Sequence, residues 1–174
     1  MDSILLAAAA LLVSAPIVYF IFKKSDDENQ DTQTTGRITL FAETSCKPVV
    51  EELVNAFQTA NPNAHIEFRS GSEKEAFEAL FNDTSRVVVM PRGLSEKEKQ
   101  MFAARYFTPP SVEFAKDPKN GGSLVLFNNQ AREGLGKSLI AFVLSEAGKK
   151  VVSDKGFEPL GKKTGLIKGR RKVA

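Results

Sequence analysis

Residues 37–90 read RITLFAETSCKPVVEELVNAFQTANPNAHIEFRSGSEKEAFEALFNDTSRVVVM, and this stretch decides the fold. It opens on a strand, Ile38–Phe41. Thr44 and Ser45 then offer helix-capping hydroxyls, and Pro48 suits a first helical turn. Val50, Leu53, Val54 and Phe57 recur at helical spacing, which predicts an amphipathic helix over 47–60, ended by Asn61-Pro62-Asn63. A second strand follows at Ala64–Phe68. Strand, helix and strand in this order make a βαβ unit, whose strands pair in parallel through a right-handed crossover. The pattern then repeats. Ser70-Gly71-Ser72 makes a turn, Ala76, Phe77, Leu80 and Phe81 mark a helix, and the unbroken apolar run Val87–Met90 is a strand buried on both faces.

Downstream, Ser95 and Glu98 form a capping box for a helix reaching about Arg105. Thr108-Pro109-Pro110 breaks the chain. Two candidate strands, Ser111–Ala115 and Ser123–Phe127, are joined by the polar connection KDPKNGG. Two helices close the domain, around Gly136–Leu144 and Glu146–Lys155, the second stopped by Gly156. The expected architecture is a three-layer α/β/α domain over 37–162. A chain of 174 residues holds one such domain, not two. Thirteen Phe against no Trp and two Tyr places most of the rings in a core, since Phe has no polar handle for stacking sites.

Upstream, residues 4–22 form the apolar run ILLAAAALLVSAPIVYFIF. As a helix it would span about 28 Å, close to the hydrocarbon thickness of a bilayer. Tyr19 lies near one end, and Lys23-Lys24 can reach the head groups. A cleaved secretory signal is the competing reading. The basic start is missing, however: Asp2 stands there, and Pro16 would follow the cleavage site. Residues 1–24 are therefore read as a retained single-pass transmembrane anchor. Residues 25–36 carry four acidic side chains, no basic one and no large apolar one, as a flexible linker would. Residues 149–174 carry nine basic side chains against two acidic ones, and 163–174 form a basic tail. A solvated end and a weak lipid or partner contact both fit it. With no aromatics after Phe157 and no recognition fold, nothing points to nucleic acid.

Chemistry has few places to sit. One cysteine (Cys46) and one histidine (His65) exclude an internal disulfide and the usual zinc cages, so no metal site is expected. They also leave little for nucleophilic triads. The glycines form no phosphate-binding loop or dinucleotide fingerprint, and no carboxylates pair at a convincing spacing. No cofactor and no catalysis are expected. Two strand-to-helix turns, Ala42–Ser45 and Ser70–Ser72, carry small hydroxyl residues at the carboxyl ends of parallel strands, where open sheets bind ligands. Helix N-termini there suit an oxyanion, and Arg92, just past a buried strand, is placed to add positive charge. Thr44, Ser45, Ser70, Ser72 and Arg92 are the candidate site residues. Plain helix capping is the alternative for the hydroxyls and an exposed turn for Arg92, and Glu43 would repel an anion if it pointed inward.

The run ITLFAETSCKPVVEELVNAFQTANPNAHIEFRSGSEKEAFEALFN resembles the opening of the phosphate-binding proteins of phosphate ABC transporters. VVVMPRGLSEKEKQMF, SVEFAKD and FVLSEAGKKVVSDKGFEPL are similar to that family's next strand and turn, its crossing strand and its C-terminal helix pair. The resemblance covers nearly all of 37–160 and implies one lobe of the type 2 periplasmic-binding-protein fold. Family members insert a second lobe where Asp117 to Gly122 here joins the two crossing strands directly. The family's ligand groups would fall on Thr44, Ser45 and Ser72, with Ser70 beside them. The acid that many phosphate binders use after the third strand has no counterpart, because Met90-Pro91 stands there. The expected function is a membrane-anchored, non-catalytic accessory subunit whose partners are an integral membrane complex or transporter subunits. The alternative is a tethered module presenting phosphate or a similar oxyanion to an ABC-type transporter. The family works outside the cytoplasm, which implies an extracytoplasmic domain, whereas Lys23-Lys24 argue for the cytoplasmic side.

Overall fold

The computed structural model describes residues 34–129 and 134–161. The expected anchor, most of the linker and the basic tail lie outside the described residues. Among the described residues no helix is long and apolar enough to cross a membrane.

A single mixed sheet of six strands forms the middle of the domain, in the order β2-β1-β3-β5-β4-β6. β1 (Gly36–Glu43) is flanked in parallel by β2 (Ala64–Gly71) and β3 (Val87–Met90). From β1 the chain passes through a single 3-10 turn, Thr44–Cys46, into α1 (Lys47–Ala60) and returns as β2. It then crosses back through α2 (Glu73–Phe81) to β3 on the other side of β1. Two right-handed crossovers that step in opposite directions must leave their helices on opposite faces of the sheet.

The side chains follow that rule. Val87 and Val89 of β3 join Ile38 and Leu40 of β1 in a core beneath α1, which supplies Val49, Val50, Leu53 and Phe57. Val88 and Met90, pointing the other way, meet Ala76 and Leu80 of α2 and Phe102 of α3 (Glu96–Ala103). β3 is thus buried along both faces, as its apolar run predicts. β4 (Ser111–Lys116) and β5 (Ser123–Asn128) pair as an antiparallel hairpin, and β5 lies antiparallel to β3. α4 (Leu135–Val143) and α5 (Glu146–Asp154) complete the layer beside α1, with Leu135, Leu139, Val143 and Val152 in the same core.

The 47–60 helix and the 87–90 strand fall where the sequence puts them. Two details differ. The β1–β2 ladder continues to the pair Glu43↔Gly71, so Ser70 and Gly71 belong to a strand and the turn begins at Ser72. A two-residue strand, β6 (Glu158–Pro159), pairs with the end of β4, a length too short to leave a periodic signal.

Residues 117–122 close the β4–β5 hairpin with local bonds alone. The Gly121 amide donates to the Asp117 carbonyl and the Asp117 amide to that of Gly122, each at 2.8 Å. Gly121 takes φ +70°, the left-handed region that glycine occupies without strain.

Candidate functional site

The carboxyl ends of β1, β2 and β3 share one edge of the sheet, and the sequence-predicted residues all fall along it. Thr44 and Ser45 form the 3-10 turn after β1. Thr44 Oγ1 donates to the Gly71 carbonyl at 2.8 Å, tying the first turn to the end of β2. Ser70 stands opposite Ala42 in the ladder, and Ser72 caps α2. Arg92 follows β3 and reaches Glu73, the neighbour of Ser72.

Each turn already holds a carboxylate from the chain itself. Glu43 accepts from the Ser45 amide at 2.8 Å and from the Ser45 hydroxyl. Glu75 accepts from both the amide and the hydroxyl of Ser72 at 2.7 Å. Glu98 does the same at Ser95, at 2.7 and 2.8 Å. A carboxylate at a helix N-terminus gains from the free N–H groups and from the helix dipole. The tetrapeptide Ser-Glu-Lys-Glu occurs twice, at 72–75 and 95–98, and both copies fold as capping boxes. Only the second is singled out by sequence reasoning, yet the identical first copy carries the same signal.

Arg92 is likewise engaged. Its Nε–H donates to Glu73 at 2.8 Å, and its two terminal nitrogens reach the two oxygens of Glu98 at 2.7 and 2.9 Å. This fork, with the Ser95 donors behind it, holds the Glu98 carboxyl down at about 2 against its own partial burial. The same carboxylates raise the Arg92 guanidinium further above its already high value. The hydroxyl and amide of Ser72 lower Glu75 below the usual carboxylate range. Arg92 therefore braces the starts of α2 and α3 together. Nothing in composition marks Glu73 as its neighbour, because that contact depends on the β2–α2–β3 crossover.

Cys46 closes the first turn from inside, where burial pushes its thiol up to about 12. A thiol this far from ionisation is no nucleophile at neutral pH. His65 sits exposed on β2. Among the described residues no group of three or more His, Cys, Asp or Glu stands where it could hold a metal ion.

A cleft of about 540 Å³ lies away from these hydroxyls, along β4 between Gly93, Glu113, Lys116 and Leu160.

Comparison with known proteins bears on this arrangement. A family model described as a PBP superfamily domain matches residues 28–147. The fold matches that of PstS from Borrelia burgdorferi at 9% identity, with a TM-score of 0.59 over 72% of this chain and 99% of that one. It also matches an ABC-type phosphate transport receptor from Vibrio cholerae at 10% identity, with a TM-score of 0.57 over 71% of this chain and 99% of that one. A third match is a Clostridium perfringens protein assigned as a phosphate ABC transporter substrate-binding protein and solved with phosphate bound. It is 14% identical, with a TM-score of 0.57 over 72% of this chain and 100% of that one. No curated protein matches the sequence. The resemblance read from residues 37–160 holds in the fold, and the chain belongs to the PBP superfamily.

Proposed function

We propose that this chain is a membrane-anchored, non-catalytic interaction subunit of a membrane complex, which keeps the surface of a phosphate-binding-protein lobe without its capture site. The observation that carries this reading is the filling of the three edge turns by Glu43, Glu75 and Glu98. An arriving oxyanion would meet three negative charges, and the donors of Thr44, Ser45, Ser72 and Arg92 are already bonded. Tight capture also takes burial on both sides, and the 117–122 hairpin stands where the resemblance implies a second lobe. Residues 4–22 anchor the chain, and residues 34–161 work on the extracytoplasmic side, beside integral membrane partners. Cross-linking in intact membranes and purification in mild detergent are expected to retrieve those partners. A full-length chain that runs alone under several conditions overturns the reading.

The second reading is a tethered oxyanion module serving an ABC-type transporter. The bond from Thr44 to Gly71 favours it, because it draws the first two turns onto one edge. Thr44, Ser45, Ser70 and Ser72 would then hold phosphate or a similar oxyanion, with Arg92 adding charge. Calorimetric titration of the full-length chain in detergent separates the two. No heat at millimolar phosphate supports the interaction subunit. Micromolar binding that is abolished by joint Ala replacement at 44, 45 and 72 supports the oxyanion module.

A further inference from the structure

The three large apolar side chains most exposed among the described residues lie within seven positions of one another: Met101, Tyr106 and Phe107. They stand where α3 ends, at the opposite edge of the sheet from the candidate site. Tyr106 is fully exposed and takes φ +55°, the left-handed conformation that a bulky residue rarely adopts. Its amide closes the helix on the Ala103 carbonyl at 2.9 Å, a position where glycine is the ordinary choice. Folding alone gives no reason for a tyrosine here. A strained, solvent-facing aromatic is a pointer to function.

Immediately beside it opens a cleft of about 230 Å³, lined by Phe81, Phe102, Phe107, Arg105 and Asp83. That is below the roughly 300–1,000 Å³ of small-molecule pockets and suits a single aromatic side chain. Its walls are rings in edge contact, Phe81 on Phe102 at 5.2 Å and Phe102 on Phe107 at 6.3 Å, so an entering ring finds edge-to-face partners. Arg105 lies over the Phe81 ring and donates to the Phe81 carbonyl at 2.6 Å. Arg105 and Asp83 have no oppositely charged partner among the described residues.

We infer that this face binds a second copy of the chain, each Tyr106 entering the partner's cleft and each Arg105 facing the partner's Asp83. A projecting aromatic, a cleft of matching size and one charge of each sign on the same patch are the elements of a self-complementary, two-fold interface. Aromatic anchors in a pocket are also what dominates such interfaces. The test uses the full-length chain in detergent micelles, followed by sedimentation across a concentration series. A dimer is expected, and Tyr106→Gly should weaken it at least tenfold while leaving the unfolding temperature unchanged or higher, because glycine relieves the left-handed strain. Tyr106→Phe should retain it. A photoreactive side chain at position 106 is expected to cross-link to residues 80–83 or 102–107 of the partner. A monomer at every concentration, a dimer indifferent to Tyr106→Gly, or cross-links only to lipid or to another protein overturns the proposal.

Discussion

The Arg92 guanidinium uses its donors on three acceptors within the chain, Glu73, Glu98 and the Gly93 carbonyl. The pH behaviour of this cluster follows from Glu98. Its folded value near 2 lies below the ordinary 4.5. The stability it contributes is therefore present above about pH 4.5 and lost as the pH falls through about 2. Glu98→Gln should remove that acid-sensitive part and cost about 1–3 kcal/mol at neutral pH, as measured by denaturant unfolding at several pH values. An unchanged acid limb would show that Glu98 is not the group that titrates. Thr44→Val should cost about 1 kcal/mol through the lost bond to the Gly71 carbonyl. Its effect should appear as faster amide exchange in the 43–46 turn before it appears in overall stability.

At the level of elements, the contact between α4 and α5 is the least forgiving. A Cβ on Gly148 would stand 2.3 Å from the Phe142 carbonyl oxygen and 2.6 Å from that of Val143. Gly148→Ala should cost about 1–3 kcal/mol and lower the melting temperature, whereas Gly161→Ala, with open space around it, should not. α1 and β3 were legible because each carries its own local pattern: Val50, Leu53, Val54 and Phe57 at helical spacing on α1, and the apolar run of β3. The edge was legible only in part. Thr44, Ser45 and Ser72 are recognisable as helix-start residues, but their occupants depend on where a glutamate one to three positions away turns. One partner of Arg92, Glu73, lies 19 residues back, and only the folded crossover brings the two together. Local patterns reveal elements, while contacts between elements need the topology.

For the whole molecule, the hairpin at 117–122 makes a sharp forecast. Its bonds are internal to the turn, and loop-closure entropy rises by only about 0.6 kcal/mol per doubling of length. Replacing the turn with a flexible insert about four times longer should therefore cost about 1 kcal/mol, measured by thermal unfolding. Collapse of the fold would show that the turn does more than connect. The proposed dimer face lies at the other end of the sheet, so the same insertion should leave self-association through Tyr106 unchanged.

The order of the chain also governs how the domain can be made. α1 emerges early in synthesis, yet the face bearing Val49, Leu53 and Phe57 is completed by Leu139, Val143 and Val152 from α4 and α5. Until residue 152 has left the ribosome, that face stays open to water and to other nascent chains. The β1–β3 and β3–β5 pairings likewise wait on segments distant in sequence, and such pairings form slowly. The domain's vulnerable interval therefore lasts almost as long as its own translation, and chaperone contact should concentrate on residues 47–60.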